Sequence, residues 1–161
     1  MINFFFQYLI LFIDKLSLKH NNFTGRYNLS VLLGQGEFKY RVAEDWAKLP
    51  ENWSFMDVAG VAVNSKDEVY VFNRGKHPMI IFDINGNYLR SWGENLFSRP
   101  HGIHIGPDDY IYCTDDGDHT VKKISPNGKL IFKIGVPGKP SEFMSNLPFH
   151  RCTHTALCPD D

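Results

Sequence analysis

The residues able to do chemistry in this chain separate into those that recur and those that do not. Residues 60–93 repeat as 102–135 at an offset of 42, with Gly60/Gly102, Asp67/Asp109, Tyr70/Tyr112, Gly75/Gly117, His77/His119, Asn85/Asn127, Gly86/Gly128 and Gly93/Gly135 identical. A residue that the repeat unit needs for folding should appear in both copies, whereas a grafted functional group need not. His101 does not recur, because Ala59 holds its place in the first copy, and Arg74 is replaced by Asp116 in the second. An imidazole beside the start of an apolar strand suits a metal ligand, since zinc with an open position commonly takes three protein donors. A guanidinium stays charged and makes two-point contacts with carboxylates. Asp115, Asp116 and Asp118 form a dense acidic turn that could bind a cation, though Asp in turns ordinarily caps loop amides. His77, His119 and the shared glycines and Asn-Gly pairs read as turn structure, and His104 as packing beside a neighbouring element. Cys113, Cys152 and Cys158 lack any C-x-x-C spacing and read as small apolar residues.

Composition narrows the partners. The 161 residues are 43% hydrophobic and 14% aromatic, which is globular, and the net charge is −1. With no block of Lys or Arg, the electrostatic footprint expected of a nucleic-acid or anionic-membrane binder is missing. Phe4 to Ile13 is nearly all apolar, but about ten residues fall short of the roughly twenty a transmembrane helix needs. Residues 1–22 therefore read as a hydrophobic extension: a signal or anchor, or the product of a misassigned start. No basic residue precedes the run, and Asp14 ends it. Asn22, Asn28 and Asn52 each begin an N-x-[ST] triplet, which matters only in a secreted chain, and the compartment stays open.

The elements that must position these groups are short strands. Each copy reads as four: 61–63, 69–72, 79–82 and 88–92, then 103–105, 110–114, 121–124 and 130–134. Val, Ile, Tyr and Phe dominate them, and Asn85-Gly86 and Asn127-Gly128 suit a two-residue type I′ hairpin. A period near 42 with four strands per unit is the signature of a β-propeller blade. The fold expected is all-β, an incomplete propeller of about two blades plus the start of a third. Residues 23–161 form the propeller part, and Cys152 to Asp161 parallels Pro100 to Asp109. Because propellers close with four to eight blades, the sequence is expected to be a piece of a longer one. Residues 21–50 resist placement, beyond a short apolar run closed by Gly34-Gln35-Gly36 and a strand candidate from Phe38 to Val42.

Gly60-Val61-Ala62-Val63, Val71-Phe72-Asn73-Arg74-Gly75, Arg99-Pro100-His101-Gly102-Ile103 and Thr114-Asp115-Asp116-Gly117-Asp118-His119-Thr120-Val121 together resemble the NHL-repeat propellers. Within them they are most similar to the peptidyl-α-hydroxyglycine α-amidating lyases. The resemblance covers roughly residues 45–161. It implies a six-bladed propeller with zinc held by three histidines in the central channel and a structural calcium nearby, splitting a peptidyl-α-hydroxyglycine into peptide amide and glyoxylate. His101 matches a zinc histidine and Arg74 the active-site arginine, while Val61 and Ile103 match residues whose backbone carbonyls serve calcium. The remaining zinc histidines, the catalytic tyrosine and the acidic calcium ligand would follow Asp161, so this chain is expected to hold a partial site and to be inactive alone. The implied substrate is a peptide or small carbinolamide. A non-catalytic NHL scaffold that binds a protein on a propeller face is the alternative, and a propeller hydrolase with acidic calcium ligands is a third reading.

Overall fold

A computed structural model of the chain describes residues 32–43 and 45–158. The apolar run 4–13, the sites at Asn22 and Asn28 and the last three residues lie outside this range. The described residues form ten strands, and no helix long and apolar enough to cross a membrane occurs among them. The chain divides into two compact units, up to Trp46 and from Ala47 onward. In the first, β1 (Leu32–Gln35) and β2 (Phe38–Arg41) form an antiparallel hairpin about the Gly34-Gln35-Gly36 turn. The strand expected from Phe38 is thus β2, ending one residue before Val42.

The second unit contains two four-stranded antiparallel sheets, each joined in chain order. The first comprises β3 (Val58–Val63), β4 (Val69–Asn73), β5 (Met79–Phe82) and β6 (Tyr88–Trp92). The second comprises β7 (Pro100–Ile105), β8 (Ile111–Asp115), β9 (Thr120–Ile124) and β10 (Leu130–Ile134). Both first strands begin three residues before the alternation of apolar residues suggests. The reason is a register shift in each, between Val58 and Gly60 and between Pro100 and Ile103, which interrupts the period of two while the strand continues.

The core lies between the sheets. Tyr70, Phe72, Met79 and Ile81 of β4 and β5 pack against Ile103, Ile111, Cys113 and Ile124 of the second sheet. Each fully buried large side chain stabilises by about 1.5–3 kcal/mol. The opposite face of the first sheet is covered too: Val71, Ile80 and Phe82 are buried, and Phe55 meets the Phe82 ring edge-on at 6.1 Å. This is why β4 and β5 read as continuous apolar runs rather than strict alternations.

The type I′ expectation for the Asn-Gly pairs is corrected. Positive φ occurs at Gly86 (76°) and Gly128 (85°) but not at the asparagines. Gly86 N–H donates to Asp83 O at 3.0 Å, and Gly128 N–H to Ser125 O at 2.9 Å. The loop is therefore a right-handed turn closed by a left-handed glycine, which makes a one-residue bulge. The Asp83 carboxylate selects it by accepting the Asn85 and Asn87 amides, each at 2.8 Å. Asp67 (φ 59°) and Asp109 (φ 60°) do the glycine's job in the β3–β4 and β7–β8 turns, which explains their identity in the two copies.

Candidate functional site

His101 sits at the irregularity in β7. Pro100 pairs with Asp115 and Ile103 with Cys113, leaving His101 and Gly102 out of step with β8. The same interruption falls on Ala59 in β3. The bulge thus belongs to the repeat, and a bulge re-aims the side chain it carries. The first copy leaves that direction to a methyl group, while the second gives it an imidazole. The His101 ring is half-buried, with Nδ1 3.0 Å from the Thr153 carbonyl oxygen. A carbonyl can only accept, so Nδ1 carries the proton. In the neutral ring Nε2 then presents its lone pair, and it has no hydrogen-bond partner among the described residues. This is the orientation a metal-binding imidazole takes when its other nitrogen is held by a backbone carbonyl.

Arg74 follows β4 directly. Its amide donates to Met56 O at 2.8 Å, and its side-chain Nε donates to Pro100 O at 3.1 Å. Pro100 precedes His101, so the structure brings the two repeat-breaking residues to the same strand end. Among the described residues no carboxylate pairs with Arg74. Val61 and Ile103 occupy equivalent rungs, opposite Val71 and Cys113. Gly102 N–H points to β8, donating to Thr114 Oγ1 at 2.6 Å, so strand alternation turns the Ile103 carbonyl to the other edge of β7. That edge has no strand neighbour among the described residues. Val61 sits on the matching edge of β3. These carbonyls can serve a hard cation, which takes oxygen ligands. No cluster of three or more His, Cys, Asp or Glu suited to a metal occurs among the described residues. The local chemistry therefore fits one nitrogen donor of a zinc set and two candidate oxygen donors for calcium. A cavity of about 380 Å³, lined by Asn64, Glu68, Arg90, Asp109 and Asn127 among others, lies at the opposite, turn end of the strands, away from these groups.

Comparison with known proteins agrees with the propeller fold. No family model matches the chain. Human NHL repeat-containing protein 3 is 30% identical over 91% of the chain and 44% of its own length. Rat peptidylglycine alpha-amidating monooxygenase is 31% identical over 45% of the chain and 10% of its own length. Peptidyl-alpha-hydroxyglycine alpha-amidating lyase 1 of Drosophila melanogaster is 40% identical over 27% of the chain and 8% of its own length. The two four-stranded antiparallel sheets fit successive blades of a β-propeller, similar to those of the NHL-repeat proteins. The chain spans less than half the length of the curated relatives it matches.

The second blade also shows what its acidic turn does. The fully buried Asp115 carboxylate accepts the amides of Ser98 (2.6 Å), Arg99 (2.8 Å), Gly117 (3.1 Å) and Asp118 (3.1 Å), and lies 3.3 Å from Lys122 Nζ. Burial pushes its pKa up more than any other single influence, yet the amides and Lys122 together hold it below the usual carboxylate range. Asp118 also pairs with Lys122, at 2.9 Å, and Asp116 takes Arg99 at 2.7 Å and Arg151 at 3.1 Å. The cations this turn holds are the chain's own side chains, in keeping with amide capping. Sequence reasoning missed that Asn73 is the counterpart of Asp115 in the first blade. Asn73 Oδ1 accepts Gly75 N–H at 2.8 Å and Met56 N–H at 3.5 Å, so the blade conserves a buried acceptor rather than an identity. Cys113 packs in the core, where burial pushes its thiol pKa up and keeps it from acting as a thiolate. The His104 ring stands 6.5 Å from Tyr112 and 6.4 Å from His154, in a packing role.

Proposed function

We propose that these blades belong to a zinc-dependent propeller lyase that converts a peptidyl-α-hydroxyglycine, or a related carbinolamide, into an amide and glyoxylate. Arg74 binds the substrate carboxylate, and its two-point geometry fixes the orientation of the adjoining carbinol carbon. His101 contributes Nε2 to the metal, and Val61 and Ile103 contribute backbone oxygens to a structural calcium. Zinc bound there supplies a Lewis acid that favours loss of the carbinol proton. Cleavage of the C–N bond then releases glyoxylate, and the leaving nitrogen takes up the proton that the hydroxyl gave up, which makes it the primary amide. The base that accepts the hydroxyl proton is assigned to no residue of this chain.

One observation carries the reading. The Arg74 Nε bond to Pro100 O brings Arg74 to the residue before His101, at the start of the bulge that aims the His101 imidazole. The names of the Drosophila and rat relatives supply the reaction class. Glyoxylate release by the full-length protein from an N-acyl-α-hydroxyglycine tests it. Arg74→Ala is expected to lower kcat/KM by about 10²–10³-fold, the usual effect of removing one preorganised charge-stabilising group. The fold should survive, because only one side-chain hydrogen bond is lost. Normal turnover would remove Arg74 from the mechanism.

A second reading, a non-catalytic NHL propeller that binds a protein on one face, has support of its own. The relative aligned over most of the chain carries a name that states no activity. The loop after β10 also exposes Phe143, Met144 and Leu147 by 89%, 84% and 66%. Under that reading wild-type protein releases no glyoxylate at any metal loading.

A further inference from the structure

We infer that Thr114 is a positioning residue for His101, holding its imidazole through the Thr153 carbonyl so that Nε2 is the free nitrogen; this rests on the proposed role of that nitrogen as a metal donor. Position 114 has no reason to be polar on behalf of the blade. Its counterpart in the first copy is Phe72, which is fully buried and packs edge-on against Phe97 at 4.7 Å. Thr114 is equally buried, with no exposed surface. A hydroxyl taken so far from water must be satisfied inside the protein, and this one is.

The donors and acceptors can be followed atom by atom. Thr114 Oγ1 accepts Gly102 N–H at 2.6 Å, within the bulge that carries His101. Its single proton has two candidate acceptors, Thr153 O at 2.9 Å and Gly102 O at 3.3 Å, and the shorter contact is to Thr153. His101 Nδ1–H reaches the same Thr153 oxygen at 3.0 Å. That carbonyl thus receives two donors, which fills its two lone pairs. A free neutral imidazole prefers its proton on Nε2. In that form the Nδ1 lone pair would face the carbonyl lone pairs, so the opposite tautomer is held only while the carbonyl stays in place.

Two neighbouring contacts set that place. A Cβ added to Gly102 would stand 2.3 Å from Thr153 O, so only glycine lets the segment come this near. The equivalent Gly60 has His101 O 3.5 Å and Ile103 Cγ2 2.9 Å from its Cβ position, so successive blade starts nest against one another. Thr114 adds a hydroxyl to this shared nesting only where a histidine must be oriented. It touches no reacting atom, and its effect passes through the bulge and the Thr153 carbonyl.

Ring ¹⁵N NMR of the purified chain reads the tautomer directly, with His101 assigned by loss of its signals in His101→Gln. In wild-type protein at mildly alkaline pH, His101 should carry its proton on Nδ1. Thr114→Val keeps the shape and removes the hydroxyl; it should raise the Nε2–H population of His101 several-fold, and Thr114→Ser should restore the wild-type pattern. In the full-length protein, Zn²⁺ should bind about 10–100-fold more weakly to the valine variant than to the serine variant, the usual cost of removing support behind a metal-binding histidine. Proton density on Nε2 in the wild type overturns the inference whether or not the valine variant folds, as does an unchanged tautomer in a folded valine variant. If the tautomers respond as expected but wild-type protein takes up no Zn²⁺ at His101, the role of Thr114 stands and the zinc reading fails.

Discussion

Asp115 shows how much a single buried carboxylate can organise. It ties the approach to β7 to the turn after β8 by accepting four backbone amides, and it lies beside Lys122, which is 3% exposed. Removing one member of a buried charge cluster leaves the rest uncompensated, so Asp115→Ala should cost about 3–5 kcal/mol in urea unfolding. Asp115→Asn should cost less than the alanine change, about 1–3 kcal/mol, because the amide oxygen still accepts from Arg99, Gly117 and Asp118 while its NH2 group faces the Ser98 amide and Lys122. Glu68 offers a test in pH. Two hydrogen bonds from Arg90, at 2.8 and 2.7 Å, lower its pKa from 4.5 to about 2. Since the folded value is the lower one, the stabilisation is complete above pH 4.5 and is lost as pH falls toward 2. Glu68→Gln should therefore flatten the fall of the urea midpoint across that interval, and a slope equal to wild type would show that the pair contributes nothing.

The strands and their order could be read from alternation and turn residues, and β5, β6 and β10 have the bounds the sequence suggests. What could not be read was set by side chains acting on backbone. The Asn-Gly turns take their hand from Asp83 and Ser125, residues that stand before the pair and not within it. The starts of β3 and β7 were hidden because a bulge breaks the period that reveals a strand. Failure to recur marks His101 and Arg74 as candidates in the sequence. Thr114 fails to recur in the same way, but a threonine in a β-branched strand gives no signal until its burial and partners are known. The turns also lock the blades together. Gly128, at φ 85°, faces the Trp92 indole of the preceding blade, and an added Cβ would stand 2.7 Å from that ring. Gly128→Ala should cost about 1–3 kcal/mol from left-handed strain and overpacking combined. Trp92→Ala in the same background should recover the overpacking part, and a strictly additive pair would show the contact to be absent.

At the scale of the whole molecule, the arrangement explains why function and folding use different residues. The core forms between sheets, from side chains of β4, β5, β8 and β9 together with the Ile103 side chain of β7, so the blade interiors are committed to packing and Ile103 has only its backbone carbonyl to offer elsewhere. The first strands pair along one edge and have no strand neighbour on the other among the described residues; the Ile103 carbonyl points to that other edge, while the His101 bulge interrupts the pairing of β7 with β8. A repeat can thus be copied for stability while single positions on that edge are varied for chemistry. Arg74 reaches across from one blade to the first strand of the next, so the candidate site exists only where two blades stack. The role proposed for His101 is to donate to a resident metal. Zinc content per mole of full-length protein, measured by elemental mass spectrometry for wild type and for His101→Ala after identical purification, tests it most directly. Wild-type protein should carry zinc near stoichiometry and the folded variant should lose most of it; equal zinc in both would contradict the account.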